Sequence, residues 1–325
     1  MAKKTMIQAI NEAMMQKMEE DPTVVVLGED VGVDGGVFRS TLGLIEKFGE
    51  ARVMDTPLAE SSIIGASVGM ALNGLKPIPE IQFMGFVYQG FDQILNHVAR
   101  YLHRSQGRYN MQMVVRMPYG AGVRALEHHS ESTEAHFAHL PGLKTVIPSN
   151  PYDAKGLLIS AIENPDPVIF LEPKRLYRMK KEEVPEEIYR VPLSKANVVK
   201  DGNDISIIAW GAMVPVALDA AEHVEKEGVS AEVIDLRTIA PFDIETITSS
   251  VEKTGRAMIV HEAPKSFGVG AEIAAQIGER SILHLLAPIQ RVTGYDIIPP
   301  LSKLEDFNYP NSERVVRAIH KTMEF

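Results

Sequence analysis

Short apolar runs alternate with stretches of helical periodicity along most of the chain. The runs in the first half are rich in β-branched residues and too short for helices. They lie at residues 23–28, 76–83, 111–116, 144–147 and 168–171. Near-continuous apolar runs of this kind are typical of strands buried on both faces of a parallel sheet. The pattern therefore predicts an α/β fold.

A second alternating set follows a change in composition. Residues 173–192 are charged and punctuated by prolines, which predicts a linker. Beyond it, the pattern predicts strands at 205–210, 231–236, 257–262 and 289–293, and helices at 214–227, 243–254, 268–278 and 312–323. A chain of 325 residues is long enough for two cores. We therefore predict a first domain with a parallel sheet at residues 1–185 and a second, unlike α/β domain at residues 186–325.

Composition narrows the classes of partner. The net charge of -10 argues against nucleic acid, and the one dense basic run, residues 173–181, is followed at once by glutamates, which predicts a solvated connector. The longest apolar stretch, residues 63–75, contains Ser67 and Asn73 and is shorter than the ~20 residues that span a bilayer. The absence of cysteine excludes disulfides and thiol catalysis. We expect no membrane or nucleic-acid partner and a cytoplasmic location.

Glu60 is the first candidate for chemistry. It stands between a turn and a helix of small residues, and no other charged side chain occurs from Ser61 to Leu72. Glycines at 65 and 69 favour close packing of this helix against a large partner. Two interpretations stay open at this level. Glu60 either decorates the first helical turn, where the helix dipole favours an acid, or acts chemically.

A histidine pair is the second candidate. His128 and His129 follow a predicted strand and a glycine-bearing loop at residues 118–124, a common way to present a proton-transfer group at the carboxyl edge of a sheet. With an ordinary pKa of about 6.5, a histidine is the natural acid or base at neutral pH. The alternative is local hydrogen bonding. His136 and His139 add a metal hypothesis, which lacks a convincing third and fourth ligand.

Aromatic residues form the third cluster, at residues 79–93. Most of them are expected in the core, but an aromatic side chain at a strand end can stack on a flat heterocycle. Nucleotide motifs do not explain the cluster. Residues 32–36 lack the Gly-x-Gly-x-x-Gly spacing, and the sequence holds neither a phosphate-binding Gly-Lys-Ser/Thr loop nor a Gly-x-Ser-x-Gly elbow.

Together, these clusters resemble the beta subunit of 2-oxo acid dehydrogenase complexes. The matching motifs are Asp55-Thr-Pro-Leu-Ala-Glu60, Glu80-Ile-Gln-Phe83 with Phe86 and Asp92-Gln93, His129-Ser130 followed by residues 141–148, and residues 233–238. The resemblance covers essentially the whole chain. It implies a pyrimidine-binding thiamine-enzyme domain followed by a transketolase C-terminal-like domain. It also implies that thiamine diphosphate binds between this chain and an alpha chain.

The resemblance assigns roles to particular residues. Glu60 would bond the aminopyrimidine ring of thiamine diphosphate and promote its reactive tautomer. Phe86 would lie against that ring, with Gln82 beside the cofactor and Gln89 nearby. His129, rather than His128, would position or protonate the lipoyl dithiolane during acyl transfer.

The resemblance implies magnesium at the alpha subunit and potassium at this subunit. The magnesium-diphosphate motif of thiamine enzymes is absent here, which implies that the alpha subunit holds magnesium and that this chain alone is inactive. Two alpha and two beta chains are expected. A potassium ion is implied at this subunit, largely through backbone oxygens of Met111, Met113, Val114, Ala161, Asn164 and Asp166. Asn164 replaces an acid that is common in the family.

Substrate and docking partner are less strongly encoded. Residues 6–10 and 85–88 resemble bacterial pyruvate enzymes, whereas residues 261–264 and 291–296 resemble branched-chain enzymes. We expect a pyruvate dehydrogenase beta subunit, with the branched-chain enzyme as alternative. The lipoyl acyltransferase core is expected to dock on the C-terminal domain, where Leu286 replaces an acid before Ala-Pro. A transketolase-like sugar enzyme and a non-catalytic scaffold are the remaining alternatives.

Overall fold

The computed structural model describes residues 2–325. Its strands are β1 (Ala2–Lys4), β2 (Val24–Gly28), β3 (Val53–Asp55), β4 (Lys76–Glu80), β5 (Val114–Tyr119), β6 (Lys144–Val146), β7 (Val168–Pro173), β8 (Glu182–Val184), β9 (Asn197–Lys200), β10 (Ile205–Ala209), β11 (Ala231–Asp235), β12 (Thr238–Ala240), β13 (Ala257–Pro264) and β14 (Gln290–Gly294). Its α-helices are α1 (Met6–Glu20), α2 (Leu44–Phe48), α3 (Glu60–Leu72), α4 (Phe91–Gln93), α5 (Tyr101–Arg104), α6 (Glu134–Ala138), α7 (Pro151–Glu163), α8 (Met213–Glu225), α9 (Ile244–Thr254), α10 (Val269–Ser281), α11 (Glu305–Asn308) and α12 (Ser312–Met323).

The first sheet has the strand order β12-β6-β7-β5-β4-β2-β3. Its strands from the N-terminal half are parallel to one another, and β12 pairs antiparallel with β6. Every residue of β2, β5 and β7 is buried, which explains their near-continuous apolar sequence. The predicted parallel sheet is thereby confirmed.

The second sheet has the order β14-β13-β10-β11-β9. Its central strands are parallel, and β9 is an antiparallel edge. Helix α8 packs against β11, α12 packs on α8, and α9 packs against α10. The α/β prediction therefore holds for both halves of the chain.

The predicted element positions agree closely with the structure where the pattern is strong. Helix α12 begins and ends at the predicted residues, and α1 is fixed by a capping box between Thr5 and Gln8. The short strands β1, β3, β8, β9 and β12 were not predicted. Strand β12 belongs to the C-terminal half of the chain but extends the first sheet, so the two halves share a sheet edge. The boundaries 1–185 and 186–325 stay predictions.

The prediction that residues 173–181 form a solvated connector is wrong for the first part of that stretch. Lys174, Leu176 and Tyr177 are buried, since β7 extends to Pro173 and a 3-10 helix, Lys174–Leu176, folds back on the first domain. The Tyr177 hydroxyl donates a 2.6 Å hydrogen bond to Glu172. Strand β8 then pairs antiparallel with β1. The basic run therefore belongs to the first domain rather than to a free linker.

None of the helices within residues 2–325 combines the length and the apolar character needed to cross a membrane.

Candidate active site

The candidate residues meet at the carboxyl edge of the first sheet. Glu29 follows β2, Glu60 lies shortly after β3, Gln82 follows β4, and Lys174 follows β7. His129 lies in the long connection after β5, in a 3-10 turn at Glu127–His129. Parallel strands place their carboxyl ends on one edge, where the crevice of an open α/β sheet binds ligands. The fold therefore brings together residues that are far apart in sequence.

Glu60 is the first residue of α3 and is only 4% exposed. The residue before it, Ala59, offers no side-chain cap, so the acid itself lies at the positive end of the helix. Its Oε2 atom has no hydrogen-bond partner within residues 2–325. Buried carboxylate oxygens are normally paired, so an unpaired one at a crevice is suited to a ligand that donates a hydrogen bond.

Two further acids lie close to Glu60. Burial raises the pKa of Glu29, and the neighbouring charges of Asp30 and Glu60 raise it further. Asp30 accepts a 3.2 Å hydrogen bond from the Gln82 amide nitrogen. The predicted cofactor residue Gln82 thus contacts Asp30, the neighbour of Glu29. The strand-end position of Glu29 and Asp30 could have identified them from the sequence, but they were missed.

Aromatic rings form a wall beside His129. The His129 imidazole packs edge-on against Phe83, with ring centroids 4.4 Å apart, and against Phe86 at 5.1 Å. Phe86 lies on the 3-10 helix Met84–Gln89, which packs against both α3 and the His129 turn. Phe86 is half-buried, so part of its ring faces open space. Three of the four aromatic residues of the cluster were expected in the core, but only Phe83 is buried, whereas Phe86 and Phe91 are half-buried and Tyr88 is exposed.

The electrostatics of His129 favour the neutral ring. Burial lowers its pKa, and the positive charges of Lys174 and His128 lower it further, while Glu127 acts in the opposite direction. Its Nδ1 atom is buried without a hydrogen-bond partner in the described part of the chain. The surroundings of His129 therefore favour the neutral imidazole, which can hydrogen-bond or take up a proton.

Lys174 is a residue of this site that the sequence interpretation missed. Its ammonium group lies 5.8 Å from the centroid of Phe83 and donates to the backbone carbonyl of Gly120. Burial lowers its pKa to about 7, against the opposite effect of Glu262 and Glu305. Lys174 therefore carries a variable positive charge beside His129.

A buried ion network supports the floor of the site. Arg116, in β5, is fully buried and donates to Glu172 at 2.7 and 3.0 Å and to Glu80 at 2.7 Å. Ser40 donates to Glu80 at 3.0 Å, which ties the loop after β2 to the same group. Each member is paired, as buried charges must be.

The remaining predicted residues separate into two places. Gln89 is exposed at the end of the 3-10 helix that carries Phe86. The predicted potassium ligands cluster elsewhere, near the start of β5 and the end of α7. There, the Lys144 ammonium donates to the side-chain oxygens of Asn164, at 3.1 Å, and Asp166. Those side chains therefore already have a cationic partner, and only backbone oxygens are left for potassium.

The histidine-metal hypothesis gains no support. Within residues 2–325 no group of three or more His, Asp or Glu side chains is arranged to hold a metal ion.

The residues of the crevice fit the ring system of thiamine diphosphate. The unpaired Oε2 of Glu60 can accept from a ring nitrogen or an amine, and the open face of Phe86 can stack on an aromatic ring. The residues around Glu60 are acidic and aromatic and include no phosphate-binding loop, so this part of the crevice suits the pyrimidine end of that cofactor.

Comparisons with known proteins identify the domain types of the chain. A family model described as the transketolase pyrimidine-binding domain matches residues 2–180, and one described as the transketolase C-terminal domain matches residues 194–315. A solved "split gene transketolase, inactive beta4 tetramer" has a TM-score of 0.82 and 23% identity, and the match covers 99% of both chains. That likeness shows the fold alone.

Curated relatives are much more similar in sequence. The pyruvate dehydrogenase E1 component subunit beta of Acholeplasma laidlawii is 54% identical over 98% of this chain and 97% of its own length. The subunits of the same name from Staphylococcus epidermidis and Bacillus subtilis are 53% and 52% identical over the full length of both chains. The chain therefore belongs to the thiamine-diphosphate-dependent family of pyruvate dehydrogenase E1 beta subunits.

Proposed function

We propose that this chain contributes the pyrimidine half of an active site that decarboxylates pyruvate and passes the acyl group to a lipoyl group. The observation that carries the proposal is Glu60, a buried carboxylate whose Oε2 is unpaired within the described residues at the carboxyl edge of the sheet. The names of the relatives favour pyruvate over a branched-chain 2-oxo acid.

Glu60 and the aromatic wall would hold the cofactor. When bound, thiamine diphosphate supplies the electron sink for decarboxylation of a 2-oxo acid. Glu60 Oε2 would hold a proton at the aminopyrimidine nitrogen and return it, while Phe86 covers one face of the ring. Gln82 would lie beside the ring and Gln89 further out. The low exposure of Glu60 keeps water away from this proton.

His129 would act in the transfer step. An imidazole can accept a proton or donate a hydrogen bond, and the surroundings of His129 lower its pKa, which favours the neutral ring. We assign it to positioning the lipoyl dithiolane and moving a proton to the departing sulfur. Phe83 and Phe86 fix the plane of its ring by edge contacts.

An alpha subunit would complete the site. This chain lacks the magnesium-diphosphate motif, so we assign magnesium and diphosphate binding to alpha, in an assembly of two alpha and two beta chains. The exposed small residues Ser61, Ser62, Ala66 and Gly69 of α3 leave room for a closely packed partner. The absence of cysteine suits a cytoplasmic enzyme.

The acyltransferase core would dock on an apolar patch of the C-terminal domain. Ile282, Leu283 and Leu286 are 64%, 95% and 61% exposed, respectively. An apolar patch of this kind is typical of a protein contact. Leu286 occupies the position that an acid holds in the resemblance, so apolar contact would replace an ion pair there.

Potassium binding by the backbone oxygens near Met111, Met113, Val114 and Ala161 stays a prediction. It is tested by the melting temperature of the alpha–beta enzyme in potassium chloride and in tetramethylammonium chloride at equal ionic strength. Stabilisation specific to potassium supports the site. Equal melting temperatures contradict it and leave Lys144 as the cation of this loop.

The function is tested with the alpha–beta enzyme, thiamine diphosphate and magnesium. Decarboxylation is followed with an artificial electron acceptor, and acyl transfer with a free lipoyl domain. Pyruvate is compared with 3-methyl-2-oxobutanoate. We expect pyruvate to be preferred, His129→Ala to lose acyl transfer while keeping much of the decarboxylation, and Glu60→Gln to lose both. Full activity of Glu60→Gln would contradict the proposal.

A further inference from the structure

The segment that carries His129 is long and has little regular structure. Residues 120–133, here the histidine segment, connect β5 to α6 and contain only the 3-10 turn Glu127–His129. Gly120, Gly122 and Arg124 have positive φ angles of 77°, 111° and 52°. A connection of this kind has low local stability unless its backbone groups are fixed by other elements. The anchors of this segment therefore decide where the His129 ring lies.

Two buried carboxylates of the C-terminal domain hold the backbone before His129. Glu305, at the start of α11, accepts from Gly122 N at 3.0 Å and from Arg124 N at 3.1 Å, one bond at each oxygen. Glu262, in β13, accepts from Ala121 N at 3.3 Å. Both acids are at most 3% exposed. Hydrogen bonds from N–H groups to buried carboxylates are among the strong ones in proteins.

The side after His129 is held by the same domain. The Tyr309 hydroxyl donates a 2.9 Å hydrogen bond to the carbonyl of Ser130, the residue that follows His129. Ser132 donates to Glu262 at 3.4 Å. Tyr309 and Ser130 are 5% and 1% exposed, so water does not compete freely for this bond.

Space around the segment is restricted as well. A side chain at Gly120 would place its Cβ 2.3 Å from Glu262 Oε2. A side chain at Gly85, on the 3-10 helix that carries Phe86, would place its Cβ 2.1 Å from the carbonyl of His128. The segment is therefore pressed between the aromatic helix on one side and the C-terminal domain on the other.

We propose that Glu262, Glu305 and Tyr309 are positioning residues for His129. None of them touches the aromatic wall, yet together they fix the backbone before and after the imidazole. Through them, the C-terminal domain takes part in acyl transfer, which is a role separate from docking. The catalytic consequence rests on the function proposed above for His129, whereas the placement of the ring does not.

Tyr309→Phe is the sharpest test, because it removes one hydroxyl and keeps the ring. Tyr295→Phe is the matched control, since Tyr295 lies in the same domain and is 53% exposed. Both variants are measured in the alpha–beta enzyme with thiamine diphosphate and magnesium. Glu305→Gln is a second variant, because Gly122 N and Arg124 N donate to different oxygens of Glu305 and glutamine replaces one of those oxygens with an NH2 group, which cannot accept.

The measurements report on His129 directly. Amide hydrogen exchange of residues 121–131 is expected to accelerate about tenfold in Tyr309→Phe, as the loss of one hydrogen bond at a buried carbonyl implies. The rate at which diethylpyrocarbonate modifies His129 is followed against pH. We expect its midpoint to rise, because burial is what mainly lowers the pKa of His129. The charged groups that face the ring, Lys174, His128 and Glu127, are unchanged in the variant.

Activity separates the outcomes. We expect acyl transfer to a lipoyl domain to fall about tenfold and decarboxylation to stay near wild type. The proposal is overturned if hydrogen exchange of the segment and the midpoint of His129 modification are unchanged in both Tyr309→Phe and Glu305→Gln. It is also overturned if acyl transfer is normal in Tyr309→Phe when His129→Ala abolishes it. If His129→Ala itself leaves acyl transfer intact, the function proposed for His129 fails, while altered exchange and midpoint still support the positioning of the ring.

Discussion

Replacement of Glu60 by glutamine tests the chemical interpretation of that residue. Glutamine has nearly the same shape, so the packing around this 4% exposed side chain is kept. Loss of the negative charge at the start of α3 costs about 0.3–1 kcal/mol of folding free energy. Relief of repulsion with Glu29 offsets part of that cost. The net change in stability is therefore expected to stay within about 1 kcal/mol.

The effect on activity is expected to be much larger. Proton transfer by a positioned side chain contributes about 10²–10⁴-fold to a rate, which corresponds to about 3–5 kcal/mol of activation free energy. Decarboxylation of pyruvate by the alpha–beta enzyme should fall by that factor in Glu60→Gln. The melting temperature should stay close to wild type. A large activity loss without a stability loss identifies a chemical role.

A control separates chemistry from helix electrostatics. Glu245 lies in the first turn of α9 and is exposed, so Glu245→Gln removes a comparable helix-end charge far from the crevice. We expect this variant to keep full activity. Two results would refute the reasoning about Glu60: near-normal decarboxylation in Glu60→Gln, or an equal loss in Glu245→Gln.

Three other residues give independent predictions. Arg116→Met leaves the buried carboxylates of Glu80 and Glu172 without their cationic partner. The free energy of unfolding, measured by denaturant titration, should therefore fall by about 3–5 kcal/mol, and a fall of less than about 1 kcal/mol would contradict this prediction. Burial raises the pKa of Glu134 to about 7, so the wild type loses stability as pH rises from about 4.5 to 7, because the unfolded state releases this proton first. The free energy of unfolding of Glu134→Gln should therefore exceed that of wild type by an amount that grows to about 3 kcal/mol across that pH range and is constant above it. A difference in unfolding free energy that does not depend on pH would contradict the raised pKa of Glu134. Leu283→Asp should weaken binding of the acyltransferase at least tenfold in a titration and leave decarboxylation intact. Leu42→Asp is the control, because Leu42 is also exposed but lies in the first domain. Equal acyltransferase binding by the two variants would exclude the apolar patch around Leu283 as the docking site.

Much of the fold could be predicted because its strands are buried on both faces. The run of valines in β2 has no amphipathic alternation, which is the signature of a parallel sheet interior. Strand β12 could not be predicted, because its three residues gain their partner, β6, only when the two halves meet. The same limit applies to Lys174. It begins a run rich in basic residues, and only the turn after β7 shows that its side chain is buried.

Some residues of the candidate site could be identified from the local sequence, and others could not. Glu60 was identifiable as a lone charge in an uncharged helical stretch, and His129 as a histidine after a strand and a glycine loop. The buried ion network below them joins Arg116 to Glu80 and Glu172. These residues lie on three different strands, and the local sequence does not predict which strands pair. Long-range pairs of this kind follow from sheet order, which short-range periodicity does not determine.

The central claim is that this chain supplies half of a shared active site. The most direct test measures pyruvate decarboxylation by the purified chain with thiamine diphosphate and magnesium, first alone and then after addition of the alpha subunit. We expect no turnover by the chain alone and turnover that rises with added alpha subunit until the two chains are equimolar. Robust decarboxylation by the chain alone would contradict it.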